Sequence, residues 1–143
     1  LQLAVMSARL ATGRDVSPRL VRSVDGVEQP SGAGTDMGLD AANMRQVRAA
    51  MYDVVNDRRG TAYGSRIIAD GMRMAGKTGT SQIRNFDSER AKYGRVLDDS
   101  EVEWNRRDHA LFVNYAPHDN PKYAVAVIVE QGRTARRPAR GQI

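Results

Sequence analysis

Two stretches of the chain carry apolar residues at helical spacing. In residues 1–12, apolar side chains recur every three or four positions, and Gly13 follows where a helix commonly stops. Asp40 stands before the second stretch, residues 41–56, in the position of an N-cap. The apolar face of that stretch comprises Met44, Val47, Met51, Val54 and Val55. The pattern predicts two helices, each with one face against a core.

Four other stretches indicate extended chain. A short strand is predicted at 19–24, and alternating residues predict another at 73–82. Strands at 109–116 and 122–130 follow, joined by a turn rich in Pro, Asp and Asn, so they form a hairpin. The last strand is apolar throughout, which is typical of the buried middle of a sheet. The predicted fold class is α/β, an antiparallel sheet with packed helices.

Residues 83–107 connect the predicted strands at 73–82 and 109–116. They are charged and show neither the helical nor the strand period of apolar residues, so a long loop is predicted. The acidic residues of this segment match no metal-ligand spacing, and we interpret them as a solvated surface. These residues are Asp87, Glu89, Asp98, Asp99, Glu101 and Glu103. Asp108 and His109 open the hairpin, but no serine is placed to complete a catalytic triad with them. We interpret His109 as a strand-end histidine.

Composition narrows the classes of function. The 143 residues, 41% of them hydrophobic, suit one ordinary domain with a core. The net charge is +5, but the basic residues are spread along the chain without interleaved aromatic residues, which argues against nucleic acid as a partner. The absence of cysteine excludes disulfides and thiolate chemistry. No run approaches the roughly 20 apolar residues of a membrane helix.

The two ends of the sequence do not have the features expected at the ends of a self-contained domain. The chain begins inside an apolar-periodic run without Met or a cap, so we expect it to be part of a longer protein. The domain is predicted to extend over residues 1–132. Residues 133–143 are rich in Arg and have no helical apolar stripe, so a basic, disordered tail is expected there.

Candidate chemistry concentrates at residues 76–82, with the sequence GKTGTSQ. In an extended chain Lys77 and Gly79 share one face, and Gly79 allows another backbone to approach closely. Lys77, Thr78 and Thr80 then offer a cation and hydroxyls to an anionic, peptide-like ligand. Lys-Thr-Gly is also the third element of a serine acyltransferase set whose other elements are S-x-x-K and S-x-N.

A different reading is a phosphate-binding loop. Residues 71–78 satisfy the pattern G-x-x-x-x-G-K-[ST], whose backbone N–H groups cradle phosphates. That mechanism requires a helix opening at Lys77 and Thr78. Because Gly79 and Thr80 are poor helix formers and no 3.6-residue repeat follows, a strand is the favoured interpretation. A nucleotide-binding module using Gly71–Thr78 remains the alternative function at this point, as does a non-catalytic interaction domain.

With its flanks, the chain resembles the C-terminal part of a penicillin-binding protein transpeptidase domain, of the class B type that serves cell elongation. The residues that carry the resemblance are 1–6, 60–62, 75–82, 107–112 and 115–130. The resemblance implies an incomplete β-lactamase/transpeptidase-like fold. It also implies that the parent protein is a periplasmic, membrane-anchored D,D-transpeptidase, which cross-links peptidoglycan stem peptides through a serine acyl-enzyme and binds β-lactams. No cofactor or metal is implied, and an elongation glycosyltransferase is the implied partner.

The resemblance also assigns roles within the motif. The backbone N–H of Thr80 would be one donor of the oxyanion hole. Lys77 would lie near the serine of S-x-N and favour anions, the hydroxyls of Thr78 and Thr80 would hold the carboxylate of the acyl donor, and Gly79 would keep the approach clear. An acyl donor along this strand would gain backbone hydrogen bonds by strand addition.

Two departures from the family pattern qualify these expectations. No S-x-x-K or S-x-N occurs, since Met74, Glu89 and Asp119 stand three residues before the three lysines, so the isolated chain is expected to be inactive. The residues after Gly132 also do not resemble the family's final helix. One face of the sheet would then be poorly covered, which suggests self-association through apolar surface.

Overall fold

The structure is a computed structural model, and it describes residues 1–30 and 34–132. The expected tail at 133–143 lies outside these residues. The helices are α1 (Gln2–Thr12), α2 (Ala41–Asn56) and α3 (Phe86–Tyr93). The strands are β1 (Ser23–Val24), β2 (Val27–Glu28), β3 (Ala75–Ser81), β4 (His109–Ala116) and β5 (Tyr123–Val129).

The chain divides into two compact units. The first contains Leu1–Lys77 and Val113–Ala126, and the second contains Thr78–Phe112 and the chain from Val127. Strands β3, β4 and β5 form an antiparallel sheet in that order, and each unit holds its own part of all three strands. The predicted class, helices packed with an antiparallel sheet in an incomplete fold, is confirmed.

The first unit has an apolar core built from both of its helices and from its parts of the sheet. Ala11 of α1, Met51 of α2, Ala75 of β3 and Tyr115 of β4 are buried together, with Ala75 and Tyr115 at 0% exposure. Leu10, Tyr52 and Ala124 pack against this cluster. The helical periodicity therefore identified most of the core-facing side of α2, although Val47 of its predicted apolar face is 40% exposed.

Local signals at the ends of the helices act as predicted. The side chain of Asp40 accepts a hydrogen bond from the backbone N–H of Asn43 at 2.8 Å, which caps α2. Gly13 ends α1 with a left-handed backbone, φ 74°, and its N–H donates to the Arg9 carbonyl at 2.7 Å. Polar groups at the helix ends are thereby satisfied, as helix termini require.

Two predictions about secondary structure and one about burial were wrong or incomplete. The predicted strand at 19–24 is extended only at β1, where Ser23 and Val24 pair with β2 in a small exposed hairpin. Residues 83–107 are not a plain loop, since they contain α3 and two short 3-10 turns. Strand β5 is not buried in the middle of a sheet: it lies at one edge of the described sheet. Its apolar side chains at 123, 125, 127, 128 and 129 are 44–60% exposed.

Helix α3 forms through its caps and charges instead of an apolar stripe. The side chain of Asn85 accepts hydrogen bonds from the backbone N–H groups of Asp87 and Ser88, and Gly94 ends the helix with φ 72°. Acidic residues occupy the first turn and basic residues the last, which suits the helix dipole. A search for apolar periodicity could not detect such a helix, although Asn85 and Gly94 were visible signals.

Candidate functional site

The Lys-Thr-Gly motif lies in the middle of β3, at the point where the strand leaves the core. Ala75 and Gly76 are buried, whereas Lys77, Gly79 and Thr80 are exposed and Thr78 is partly buried. In the described part of the chain, β3 is an edge strand, with β4 as its one neighbour. The motif therefore combines an anchored start with an accessible polar end.

The phosphate-loop alternative is wrong. The chain is extended from Ala75 to Ser81, so a strand passes through Lys77 and Thr78 where a phosphate-binding loop would open a helix. Without that helix N-terminus, the N–H groups that cradle phosphates are not gathered at one point. Nucleotide binding through residues 71–78 is therefore excluded on geometric grounds.

The start of β3 is held by polar groups of the first unit. The side-chain Nδ2 of Asn56, the last residue of α2, donates to the carbonyl oxygens of Tyr52 and Met74, both at 2.9 Å. The backbone N–H of His118 donates to the Arg73 carbonyl at 2.7 Å. The two residues immediately before the strand are thus fixed to α2 and to the turn between β4 and β5.

Lys77 lines an open concavity of about 490 Å³ in the first unit. The other lining residues come from the end of α2 and the chain after it: Ala50, Asp53, Val54, Asp57, Arg59, Gly60 and Thr61. Arg59 donates a side-chain hydrogen bond to Asp57, which lowers the pKa of that carboxyl below its ordinary value. The concavity at Lys77 therefore carries charged side chains of both signs beside the apolar side chains of Ala50 and Val54.

Gly60 allows the chain to pass close to the end of α2. A Cβ on Gly60 would lie 2.5 Å from the carbonyl oxygen of Asp53 and closer still to that of Val54. The Val54 carbonyl also accepts the N–H of Ala62 at 3.0 Å. Within residues 60–62, which carried part of the family resemblance, the close backbone approach explains why position 60 is glycine.

Gly79 has more space than Gly60. A Cβ on Gly79 would meet only the Leu111 Cβ, at 3.5 Å, which is an ordinary van der Waals contact. Within the described residues, the fold therefore does not require glycine at this position. A requirement for glycine would come from whatever lies against the exposed face of the strand.

The histidine and the acidic residues considered in the sequence analysis make hydrogen bonds and ion pairs within the chain. His109 begins β4, as predicted, and its Nδ1 accepts the backbone N–H of Gln131 at 3.0 Å. The interpretation of Glu89 as solvated surface is wrong, since Glu89 is 9% exposed and pairs with the buried Arg84. Glu101 pairs with Arg95. Across residues 1–30 and 34–132, no group of three acidic, His or Cys side chains is arranged to hold a metal ion. The same residues contain no helix long and apolar enough to cross a bilayer.

Comparison with known proteins identifies the class of protein to which this fold and this strand belong. The chain is a member of the penicillin-binding protein transpeptidase domain family, which matches residues 1–143.

Individual relatives with similar sequences are peptidoglycan D,D-transpeptidases. The peptidoglycan D,D-transpeptidases MrdA of Acinetobacter baumannii and Haemophilus influenzae are each 34% identical, over 93% and 91% of this chain. The chain spans about a fifth of their length, 19% and 20%.

Solved structures of penicillin-binding protein 2 are similar in fold. The Pseudomonas aeruginosa protein in complex with WCK 5153 is 37% identical with a TM-score of 0.65, covering 92% of this chain and 24% of that one. The Helicobacter pylori protein in complex with MreC is 27% identical with a TM-score of 0.63, covering 90% of this chain and 20% of that one. The predicted resemblance to this family is confirmed.

Proposed function

We propose that the chain supplies the Lys-Thr-Gly side of the active site of a peptidoglycan D,D-transpeptidase. The observation that carries this proposal is the exposed motif on the edge strand β3, in a chain that matches the transpeptidase family throughout. The longer protein would cross-link stem peptides through a serine acyl-enzyme and would be acylated by β-lactams.

In this proposal the edge of β3 receives the acyl donor as an added strand. Backbone hydrogen bonds along an edge strand orient an extended peptide without dependence on its side chains. The N–H of Thr80 would face the oxygen of the attacked carbonyl, where negative charge develops, and donors so placed are worth about 2.7–4 kcal/mol each. Lys77 would favour the anion, and the hydroxyls of Thr78 and Thr80 would bind the donor carboxylate.

Gly79 gives the sharpest test of this assignment. Since a Cβ at Gly79 makes only an ordinary contact, Gly79→Ala should preserve the fold while narrowing the face that receives the donor. In the longer protein, Gly79→Ala and Lys77→Ala should each slow acylation by a fluorescent penicillin at least about tenfold. Gly64→Ala is the matched control, because a Cβ there meets nothing within 4 Å. Acylation of both motif variants at the wild-type rate would exclude a role for β3.

The 143-residue chain by itself should form no acyl-enzyme, because it contains neither S-x-x-K nor S-x-N. Incubation of the isolated chain with a fluorescent penicillin, followed by denaturing electrophoresis, checks this point. A covalent band that disappears when the chain is heat-denatured beforehand would show that the chain carries its own nucleophile. The longer protein is the positive control.

Location and partners follow from the same proposal. A transpeptidase of this family would act in the periplasm from an anchor in the inner membrane. An elongation glycosyltransferase and MreC are proposed partners, the latter because the Helicobacter pylori relative was solved with MreC. Co-purification of the membrane-extracted protein with either partner is the corresponding test, and its absence for both would remove this part of the proposal.

The exposed strand β5 favours a second role, an interaction surface. Tyr123 and Ile128 are 60% and 56% exposed, although large apolar side chains usually lie inside. We therefore propose that the isolated chain self-associates. Sedimentation analysis across a concentration series should show a rising average mass, and Ile128→Lys should reduce it. A constant monomer mass would contradict self-association.

A further inference from the structure

Three charged side chains are buried in the unit that begins at Thr78. Arg84, Glu89 and Asp108 have side-chain exposures of 1%, 10% and 6%. Among the described residues of this unit, only Val102 is a buried apolar residue. Removing ions from water is costly in free energy, so such clusters are weak evidence for stability, and fixing a geometry is their better-attested use.

The three residues form one connected arrangement. The Nη1 of Arg84 lies 3.3 Å from Glu89 Oε1 and donates to the carbonyl oxygen of Leu97 at 3.1 Å. The backbone N–H of Leu97 donates in turn to Glu89 Oε2 at 3.0 Å. On the other side, Arg84 Nη2 lies 4.0 Å from Asp108 Oδ2. The guanidinium therefore lies between helix α3, the chain after that helix and the residue before β4.

Asp108 connects this arrangement to the end of β3. Its Oδ1 accepts the backbone N–H of Ile83 at 2.9 Å. Ile83 follows the last residue of β3 by two positions, and Asp108 immediately precedes β4. One carboxylate thus ties the exit of β3 to the entry of β4, and this anchor lies three residues from Thr80.

We propose that Arg84, Glu89 and Asp108 form an ionic clamp that positions the exit of β3, and with it the Thr80 backbone N–H, for acylation. This inference rests on the proposed function. The clamp residues are positioning residues, since they act through the backbone of β3 and contact no reacting atom. The competing explanation is that the clamp only holds the segment between β3 and β4 together.

Kinetics of the longer protein separate these explanations. The non-covalent binding constant of a fluorescent penicillin and the acylation rate constant are measured separately, at a temperature where circular dichroism shows every variant folded. Asp108→Ala should lower the acylation rate constant about 10- to 100-fold with little change in binding, since small misplacements have effects of that size. Asp108→Asn keeps an acceptor for the Ile83 N–H and should recover part of the rate.

The control is a second ion pair in the same segment. Arg95 and Glu101 are paired at 2.6 Å, but their side chains are 56% and 38% exposed and lie outside the clamp. Glu101→Gln should therefore acylate at the wild-type rate. An unchanged acylation rate constant in Asp108→Ala would overturn the proposal. If Asp108→Ala does not fold, Asp108→Asn decides, with an expected rate clearly below wild type.

Amide hydrogen exchange tests the clamp without acylation. In Asp108→Ala, exchange in residues 78–83 should accelerate at least about tenfold, while α2 keeps its protection. Unchanged exchange would refute the clamp whatever the activity. A wild-type protein that is not acylated at all would refute the proposed function, and the exchange measurement would then decide alone whether the clamp positions β3.

Discussion

Gly60→Ala is the substitution whose cost the structure defines most directly. The new methyl would lie 2.5 Å from the Asp53 carbonyl oxygen and closer to that of Val54, at the end of α2. Both obstacles are backbone atoms, so no side-chain rotation can relieve the clash. The backbone must therefore shift at this point, where the Ala62 N–H donates to the Val54 carbonyl at 3.0 Å.

Overpacking of this kind costs typically about 1–3 kcal/mol. For a chain of 143 residues, a loss of 1 kcal/mol corresponds to about 4 °C in melting temperature, so a decrease of about 4–12 °C is expected. The backbone of Gly60 is outside the left-handed region, so the loss comes from the clash and not from an unfavourable φ.

Gly64→Ala separates this clash from general effects of replacing glycine. A Cβ at Gly64 meets nothing within 4 Å, and alanine there should be neutral or stabilise by up to about 1 kcal/mol through a less flexible unfolded chain. Both variants are compared by thermal and urea denaturation followed by circular dichroism. Equal stability of the Gly60 and Gly64 variants would refute the close approach at Gly60.

Three further predictions concern polar interactions. Ser7→Ala removes a buried hydroxyl that donates to the Asn114 carbonyl at 2.9 Å, and should cost about 1–2 kcal/mol in urea denaturation; wild-type stability would contradict this. Asn85→Ala removes the cap of α3 and should weaken that helix by about 1 kcal/mol, seen as faster amide exchange there and not in α2. The hydrogen bond from Arg95 lowers the pKa of Glu101 to about 2, so the contribution of this pair to stability is present above about pH 4.5 and is lost as pH falls towards 2. Carboxyl titration by NMR checks this, and Arg95→Gln should return the pKa towards 4.5.

Local signals in the sequence were sufficient to predict a helix or strand when its formation depends on its own residues. The spacing of Met44, Met51 and Val55 placed α2 and its buried face, and Asp40 marked its first turn. The Gly-Thr content around Lys77 favoured a strand over a phosphate-binding loop, and the structure agrees. These features are readable because helix periodicity, capping and backbone preference act within a few residues.

Helix α3 shows the limit of reading apolar periodicity alone. Its 8 residues carry no apolar stripe, and the charged segment 83–107 was predicted to be a loop for that reason. The helix is nonetheless specified locally by Asn85, Gly94 and the order of its charges. Attention to caps would have found it from the sequence.

Burial, in contrast, was decided by tertiary structure. Glu89 is charged and was interpreted as part of a solvated surface, yet it is buried together with Arg84 and Asp108, because residues distant in the chain meet at the exit of β3. Strand β5 is apolar and was expected to be buried, yet it forms an exposed edge of the described sheet. The sequence by itself determined helices α1 and α2, strands β3, β4 and β5, the motif and the family resemblance. Only the tertiary structure decided which polar groups are enclosed and which apolar groups are exposed, because solvent exclusion depends on neighbours distant in the chain.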